Sequence, residues 1–281
     1  MTLLVRDSEE LLRSNLEFHL RQGVDFYIIT DNGSVDGTAE IIDEYVRAGL
    51  AESIFEPEDT YSQGRWVTRM ARRAASDHGA DWVINNDDDE FWYGREGDLK
   101  QTLASAAGSV AAIEVQRGNH PPVVGVDGFR FLETMIYRER ASLNPLGDPL
   151  PPKVCHRGFA DIEVGQGNHA VARAGALLKP TPTDAITISH FPLRGYAAFE
   201  RKIALGGAAY ERNAHLPPEV GATWRRLHEI LRSGELRAWY DRQVLKPEQV
   251  RRGLADGSLV VDDTVARTLG KLQDVACAAK A

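Results

Sequence analysis

Four acidic side chains stand in a row at Asp87-Asp88-Asp89-Glu90, and the residues on either side are apolar or aromatic. Trp82-Val83-Ile84 runs in and Phe91-Trp92-Tyr93 runs out. Like charges this close repel, so such a run normally lies in solvent. Here it is flanked by side chains that gain from burial. A carboxylate cluster at the end of a buried strand calls for a compensating cation, and a divalent metal brings two charges to one point. In an extended chain Asp87 and Asp89 face one way and Asp88 the other. Hard oxygen donors suit Mg²⁺ or Mn²⁺, and Mg²⁺ shares its coordination with substrate phosphates. Asp87 and Asp89 are therefore the expected working pair, on a metal or a ribose. Glu90 is a supporting carboxylate, and Asp88 is expected to tolerate change. The competing reading is a solvated acidic turn.

The stretch Asp31-Asn32-Gly33-Ser34-Val35-Asp36-Gly37-Thr38 is the second place where side chains could meet a ligand. Asn32-Gly33 suits a tight turn, and Ser34 and Asp36 are types that cap a following helix. Capping accounts for most of the motif but leaves Asp31 over. A carboxylate there accepts well from a nucleobase imide N–H or a ribose hydroxyl. A calcium-loop reading fails: Gly33 and Val35 fall at two needed ligand positions, and Ile42 replaces the closing Glu.

Holding these two stretches together requires strands that end on a common edge. Leu3-Leu4-Val5 has the composition of a short buried strand. Asp7 or Ser8 can cap a helix after it, with Glu9 and Glu10 in its first turn. Leu11, Leu12, Leu16 and Leu20 recur at helical spacing as far as Gln22, where Gly23 stops the helix. Residues 24–30 predict a second strand, and Ile41, Ile42, Tyr45 and Val46 mark a second helix. A third strand is expected at 51–55, a third helix at 62–77 and a fourth strand at 82–85. Val67, Met70, Ala71 and Ala74 form the inward face of that third helix, and Trp66 and Arg69 could flank a pocket. This alternation predicts an α/β fold with a mostly parallel sheet flanked by helices. Ligands of such sheets sit outside the carboxyl ends of the strands, where Asp31 and Asp87 both fall.

Beyond Leu99 the pattern loosens. A short helix is expected at 100–107, strands at 110–115, 129–137, 153–155, 170–172 and 186–189, and a loop at 139–152. His190-Phe191-Pro192 closes the last strand, and a helix spans 199–210. From Pro217 the chain is expected to be helical, with Trp224, Leu227, Ile230, Leu231, Leu236 and Trp239 on its apolar face.

The chain has 281 residues, 43% hydrophobic and 26% charged, as in ordinary globular proteins. Its net charge of −8 argues against a nucleic-acid binder driven by phosphate neutralisation. A local basic pocket for a phosphorylated small molecule stays open. Two distant cysteines, Cys155 and Cys277, offer neither a disulfide framework nor metal-ligand spacing. Charge follows the opening Met1-Thr2-Leu3-Leu4-Val5 too soon for a signal peptide. The longest uncharged run, 101–113, is too short and too polar to span a bilayer. A reduced cytoplasmic setting is expected, with room for peripheral attachment at the inner face of the membrane.

Taken in order, several motifs resemble one family. These are Val5-Arg6-Asp7, His19, Gly23-Val24-Asp25, the 31–38 stretch, Ala80-Asp81-Trp82-Val83 and Asp87-Asp88-Asp89-Glu90-Phe91. Together they are similar to family 2 glycosyltransferases of the GT-A fold, in particular the bacterial subgroup with a D-x-D-E-F metal motif. The resemblance runs from Met1 to about Tyr210. It implies transfer of a sugar from a nucleoside-diphosphate sugar, of UDP or GDP type, to an acceptor hydroxyl, with inversion, in glycan or polysaccharide synthesis. It implies Mn²⁺ or Mg²⁺ at Asp87, Asp89 and His190, the last as the distant His that completes the metal site. It implies nucleotide-sugar contacts from Arg6, Asp7, Asp31, Asp36 and Asp87, and diphosphate contacts from Arg194 and Lys202. Relatives often carry an acidic residue directly after Arg-Asp; Ser8 stands there instead, so Asp7 would serve. The implied domains are a transferase unit at 1–210, with a nucleotide-sugar half at 1–95 and an acceptor half at 96–210. A helical extension follows at 211–281, which could cover the acceptor cleft, meet a membrane-bound assembly or form a homodimer.

Inverting transfer needs a base to take the acceptor's proton. Asp161, Glu163 and His169 are the candidates, His169 first, because Gly165 and Gly167 let backbone approach a ligand. Two other functions share the features. A sugar-phosphate nucleotidyltransferase would show a basic, Gly-rich phosphate loop after the first strand, which Arg6-Asp7-Ser8-Glu9-Glu10 is not. A non-catalytic nucleotide-sugar binding module would not need the intact D-x-D pair.

Overall fold

In a computed structural model of the chain, residues 1–58, 62–126, 130–213, 216–217 and 219–270 are described. The first part alternates: β1 (Thr2–Val5), α1 (Glu9–Arg21), β2 (Tyr27–Asp31), α2 (Thr38–Arg47), β3 (Ala51–Phe55), α3 (Gln63–Ser76) and β4 (Trp82–Asn86). Then come β5 (Glu90–Gly94), α4 (Leu99–Ala104), β6 (Ala112–Val115), β7 (Arg117–Asn119), α5 (Phe131–Thr134), β8 (Tyr137–Glu139) and β9 (Lys153–Arg157). Five short strands follow: β10 (Ile162–Val164), β11 (Val171–Arg173), β12 (Ala176–Leu177), β13 (Thr181–Pro182) and β14 (Ile186–His190). The last part holds α6 (Tyr196–Arg212), α7 (Ala222–Arg232), α8 (Leu236–Gln243), α9 (Pro247–Asp256), β15 (Leu259–Val261) and α10 (Thr264–Thr268).

The central sheet has seven strands in the order β13-β6-β9-β4-β1-β2-β3. β3, β2, β1 and β4 run parallel, β9 runs against both its neighbours, and β13 is parallel to β6. This is the mostly parallel α/β architecture that the alternation predicts. Successive side chains of a strand face opposite ways, and the two faces are separately covered. Leu3, Val5, Tyr27 and Ile29 pack under α1 and α2 against Leu12, Leu16, Ile41 and Ile42. Ile28, Val83, Ala112 and Val154 pack under α3 against Val67, Met70, Ala71 and Ala74. Covering both faces is why all five residues of β2 are buried. Leu12 and Leu16 are fully buried, each worth about 1.5–3 kcal/mol.

Register sets the functional edge. Val5 lies beside Asp31 and Leu3 beside Asn86, so β1 and β2 end level and β4 ends on the same edge two residues short of them. A second sheet, β5-β14-β7, abuts this edge. In it His190 lies opposite Glu90 on one side and beside Asn119 on the other.

Two elements differ from expectation. The strand expected at 129–137 contains the helical turn α5 instead, and only Tyr137 onward is extended; Phe129, like Cys277, lies outside the described residues. Phe131, Leu132 and Met135 are buried with helical spacing, and a short apolar run does not separate the two periods. The C-terminal stretch is not helical throughout. β15 pairs antiparallel with β8, and Val265 and Leu269 pack against Leu11, Phe18 and Phe91. The boundary expected at 210 falls within α6, and the chain after it returns to the first half. No helix among the described residues is long and apolar enough to cross a membrane.

Helices α6, α7 and α8 share a separate small core of Phe199, Ile203, Leu227, Leu236 and Tyr240. Gly206 and Gly207 in mid-α6 make the close approach of α7 possible. A Cβ on Gly206 would stand 2.4 Å from the Trp224 ring, and one on Gly207 would stand 2.4 Å from His228. Gly206→Ala gains about 1 kcal/mol of helix propensity but overpacks at a cost of about 1–3 kcal/mol. The expected outcome is a net loss of stability in denaturant titration, with Trp224 fluorescence shifted as its ring is displaced.

Candidate functional site: a carboxylate turn between two sets of cations

The loops after β1 and β2 lock onto each other. Asp7 has a left-handed backbone, φ 51°. Its amide donates to Ser34 Oγ (3.0 Å), and its Oδ1 accepts from the Val35 amide (2.8 Å). The Ser8 amide donates to Thr38 Oγ1 at 2.7 Å. Asp36 accepts from the Thr38 amide and hydroxyl on one oxygen and from the Glu9 amide on the other. Asp36 is thus committed to the loop, where it serves the start of α2 as its residue type suggests. Asp31 Oδ1 accepts from the Ser34 amide (2.9 Å) and hydroxyl (2.6 Å), and the residue is only 7% exposed. Ser34 therefore orients Asp31 rather than capping α2.

A cleft opens beyond these loops, at the carboxyl ends of the strands. Its walls include Arg6, Asp7, Asn32, the 87–89 turn, Arg194, Lys202 and Trp224. Asp31 is not among the lining residues; Asn32 takes the wall position beside it. So α6 and α7 form one side of the cleft and the sheet edge forms the other.

Residues 87–89 form a turn, closed by the Glu90 amide donating to the Asp87 carbonyl at 3.1 Å. The extended-chain alternation therefore does not apply, and all three Asp side chains border the cleft. Asp88, expected to face away, accepts from Ser8 Oγ. Ser8 stands at the N-cap position of α1 but makes no side-chain cap bond; its hydroxyl is turned to the acidic turn instead.

The second half of the acidic run is not solvated. Asp89 is 2% exposed and Glu90 is fully buried. Asp89 meets Lys202 Nζ, with the Arg194 guanidinium 3.9 Å away. Asp87 meets Lys153, a fully enclosed lysine that also reaches Glu90 at 3.2 Å. Arg117 closes the set on Glu90 at 3.0 Å. Four carboxylates thus face four cations supplied from distant parts of the chain. Burial pushes Glu90 up to about 7 against the pull of Lys153. Burial, then repulsion from Asp89, raises Asp88. For Asp89 burial is outweighed by Lys202, His190 and Arg194, and the carboxyl is held far below its usual range. Burial opposes the charge on Lys202 too, but Asp89 and Asp88 raise its pKa overall.

His190 is the other ligand-type group here. Its Nδ1 donates to Asn119 Oδ1 at 2.7 Å, so Nε2 carries the lone pair. Burial holds the imidazole well below its usual range despite Asp89. Nε2 faces Asp89 Oδ1 at 3.7 Å. Two acceptors at that separation, with no proton between them, are a donor set that a cation satisfies. Asp87 does not join them: its oxygens take Lys153, Asn168 Nδ2 (3.0 Å) and Gln63 Nε2 (3.4 Å). Among the described residues no three His, Cys, Asp or Glu side chains converge as a metal-binding group. The fit is therefore for a hard divalent ion held by two protein ligands, which leaves positions for substrate oxygens. Asn119 would fix the imidazole behind it.

The residues expected to supply a base lie apart. Asp161 is exposed and paired with Arg173 at 2.7 Å, and Glu163 is exposed beside Arg72 at 3.8 Å. Neither is among the residues that line the cleft, and nor is His169. His169 donates from Nδ1 to the Pro152 carbonyl (2.8 Å) and lies near Lys153 and Asp87. Burial, then Lys153, brings its pKa down to about 4. On α3, Trp66 is buried, and Arg69 pairs with Glu56 at 3.1 Å. Lys153, Arg117, Asn119, Asn168 and Gln63 were not singled out in the sequence. None of the five carried a local sign of its role in the sequence.

No family model and no curated protein matches the chain. Among solved structures, S. aureus TarS 1–349 superposes with a TM-score of 0.42 at 12% identity, over 94% of this chain and 96% of that one. The same fragment in complex with UDP-GlcNAc gives the same figures. A mannosyltransferase from Pyrobaculum calidifontis, in complex with GDP-Man and Mn²⁺, gives 0.39 at 18% identity, over 96% and 77%. Likeness this distant assigns no activity.

Proposed function

We propose that the chain is a GT-A-type glycosyltransferase that moves a sugar from a nucleoside-diphosphate sugar to an acceptor hydroxyl, with inversion and with a divalent ion. The observation that carries this reading is the charge arrangement of the cleft. Arg6, Asp7 and Asn32, after β1 and β2, bring to the cleft polar groups of the types that suit a nucleoside. Arg194 and Lys202, beside Asp89, line the same cleft with cations. A nucleoside diphosphate calls for both kinds of group.

In this reading Asp89 and His190 hold Mn²⁺ or Mg²⁺, which when bound supplies charge to the departing diphosphate. Arg194 and Lys202 add positive charge for the same oxygens. Asp87, clamped by Lys153, Asn168 and Gln63, is a rigid acceptor for a sugar or ribose hydroxyl rather than a metal ligand. Asp31 acts behind Asn32, held by Ser34, and Asp36 acts through the loop. For the base, His169 stays the candidate. It is neutral at pH 7, with its proton fixed on Nδ1 by Pro152, so Nε2 is the accepting nitrogen. Asp161 and Glu163, exposed and paired with Arg173 and Arg72, are set aside.

The test is thermal shift with UDP and GDP, each with and without Mn²⁺. The expected outcome is stabilisation by one nucleotide that grows with Mn²⁺, by about 3 kcal/mol at a hundredfold excess over Kd. No stabilisation by either diphosphate under any condition would sink the reading.

A further inference from the structure

Among the described residues, the α6–α7–α8 unit meets the far side of the cleft through two ion pairs. Its own core contains no residue of the central sheet. Across the cleft it makes the Lys202–Asp89 pair and, at the edge, the Arg201–Glu10 pair at 3.0 Å. A further polar contact joins Tyr210 to Gln166 at 3.4 Å. Lys202 is also placed by its own side of the cleft. Its ammonium lies 5.7 Å from the centre of the Trp224 ring, and Trp224 reaches that position because residue 206 is glycine. The lysine therefore arrives at Asp89 on a built support.

Asp89 has two oxygens with two different neighbours. Oδ1 faces His190 Nε2, and Oδ2 takes Lys202. A divalent ion on Asp89 and His190 would stand next to the ammonium. A dication and an ammonium that share one carboxylate repel each other.

We propose that Lys202 competes with the divalent ion for Asp89. The ammonium holds α6 down on the carboxylate turn, and loading the ion releases Lys202 and loosens α6 over the cleft. This rests on the metal reading above. It makes metal binding and the opening of the α6 side of the cleft one coupled event. The freed ammonium is then available to a donor diphosphate.

The experiment titrates Mn²⁺ into the full chain without nucleotide and follows free Mn²⁺ by electron paramagnetic resonance. Wild type, Lys202→Met and Arg201→Gln are compared. Lys202→Met is expected to bind Mn²⁺ more tightly by about tenfold or more, and Arg201→Gln to stay within about twofold of wild type, since its exposed pair contributes little. Hydrogen exchange on the wild type alone gives a second readout: Mn²⁺ should speed exchange of amides in α6. Equal or weaker Mn²⁺ binding in Lys202→Met, or α6 exchange that Mn²⁺ leaves unchanged or slows, overturns the competition and leaves the metal reading standing. Mn²⁺ bound by none of the three proteins overturns both.

Discussion

Asp89→Asn should lower sugar transfer by roughly a hundred- to a thousandfold while leaving the fold and melting temperature close to wild type. The carboxylate is the point where His190, Lys202 and Arg194 all meet, so neutralising it removes the charge that organises this part of the cleft. The fold tolerates the loss because Lys202 is 30% exposed and can turn its ammonium to water. Steady-state release of nucleoside diphosphate, measured beside circular dichroism, separates the two effects. Turnover within about threefold of wild type would remove Asp89 from the centre of the mechanism, since even one lost transition-state contact costs more than that.

The second large effect is on stability. Lys153→Met should cost about 3–5 kcal/mol, as expected when one partner of a buried ion pair is removed. For a chain of this size that is a fall in Tm on the order of 10 °C. Lys153 is 1% exposed and lies between Asp87 and Glu90, and Glu90 is wholly buried. Its removal leaves Glu90, which water does not reach, with one cation fewer. Arg117 still meets Glu90, but nothing of like charge replaces Lys153 at Asp87. The contrast between the two lysines is the informative part. Lys153 is expected to act on stability, and Lys202 on metal affinity with little change in melting. A Tm change below about 2 °C for Lys153→Met, equivalent to less than about 1 kcal/mol, would mean that the network is not held dry.

What could be read from the chain follows the range of the interactions. The strands and helices up to residue 86 announce themselves by local periodicity and by stops such as Gly23, whose φ is 83°. Asp31 and the acidic run are placed on one edge by parallel register alone, and the register is as expected. The direction of Asp88 was not legible. It depends on whether 87–89 is extended or turned, and the hydrogen bond from Glu90 to Asp87 that decides this is a matter of three residues. Residues 131–135 illustrate the same ambiguity in an apolar run. The cations were the least legible part. Arg117, Lys153 and Lys202 are separated from the carboxylates they meet by 27, 66 and 113 residues and reach them through strand pairing and helix packing. No window of sequence shows that they converge. Asn119 is of this kind too, since only the pairing of β7 with β14 brings it to His190.

The most direct test of the central claim is a donor panel. The purified chain is incubated with UDP- and GDP-linked sugars and Mn²⁺, and the released nucleotide and phosphate species are identified by chromatography. The proposed function predicts release of the nucleoside diphosphate from a donor in the panel, lost in Asp89→Asn. Pyrophosphate-linked exchange in place of diphosphate release would mark a nucleotidyltransferase. No release from any donor, or release that Asp89→Asn leaves unchanged, would contradict the account.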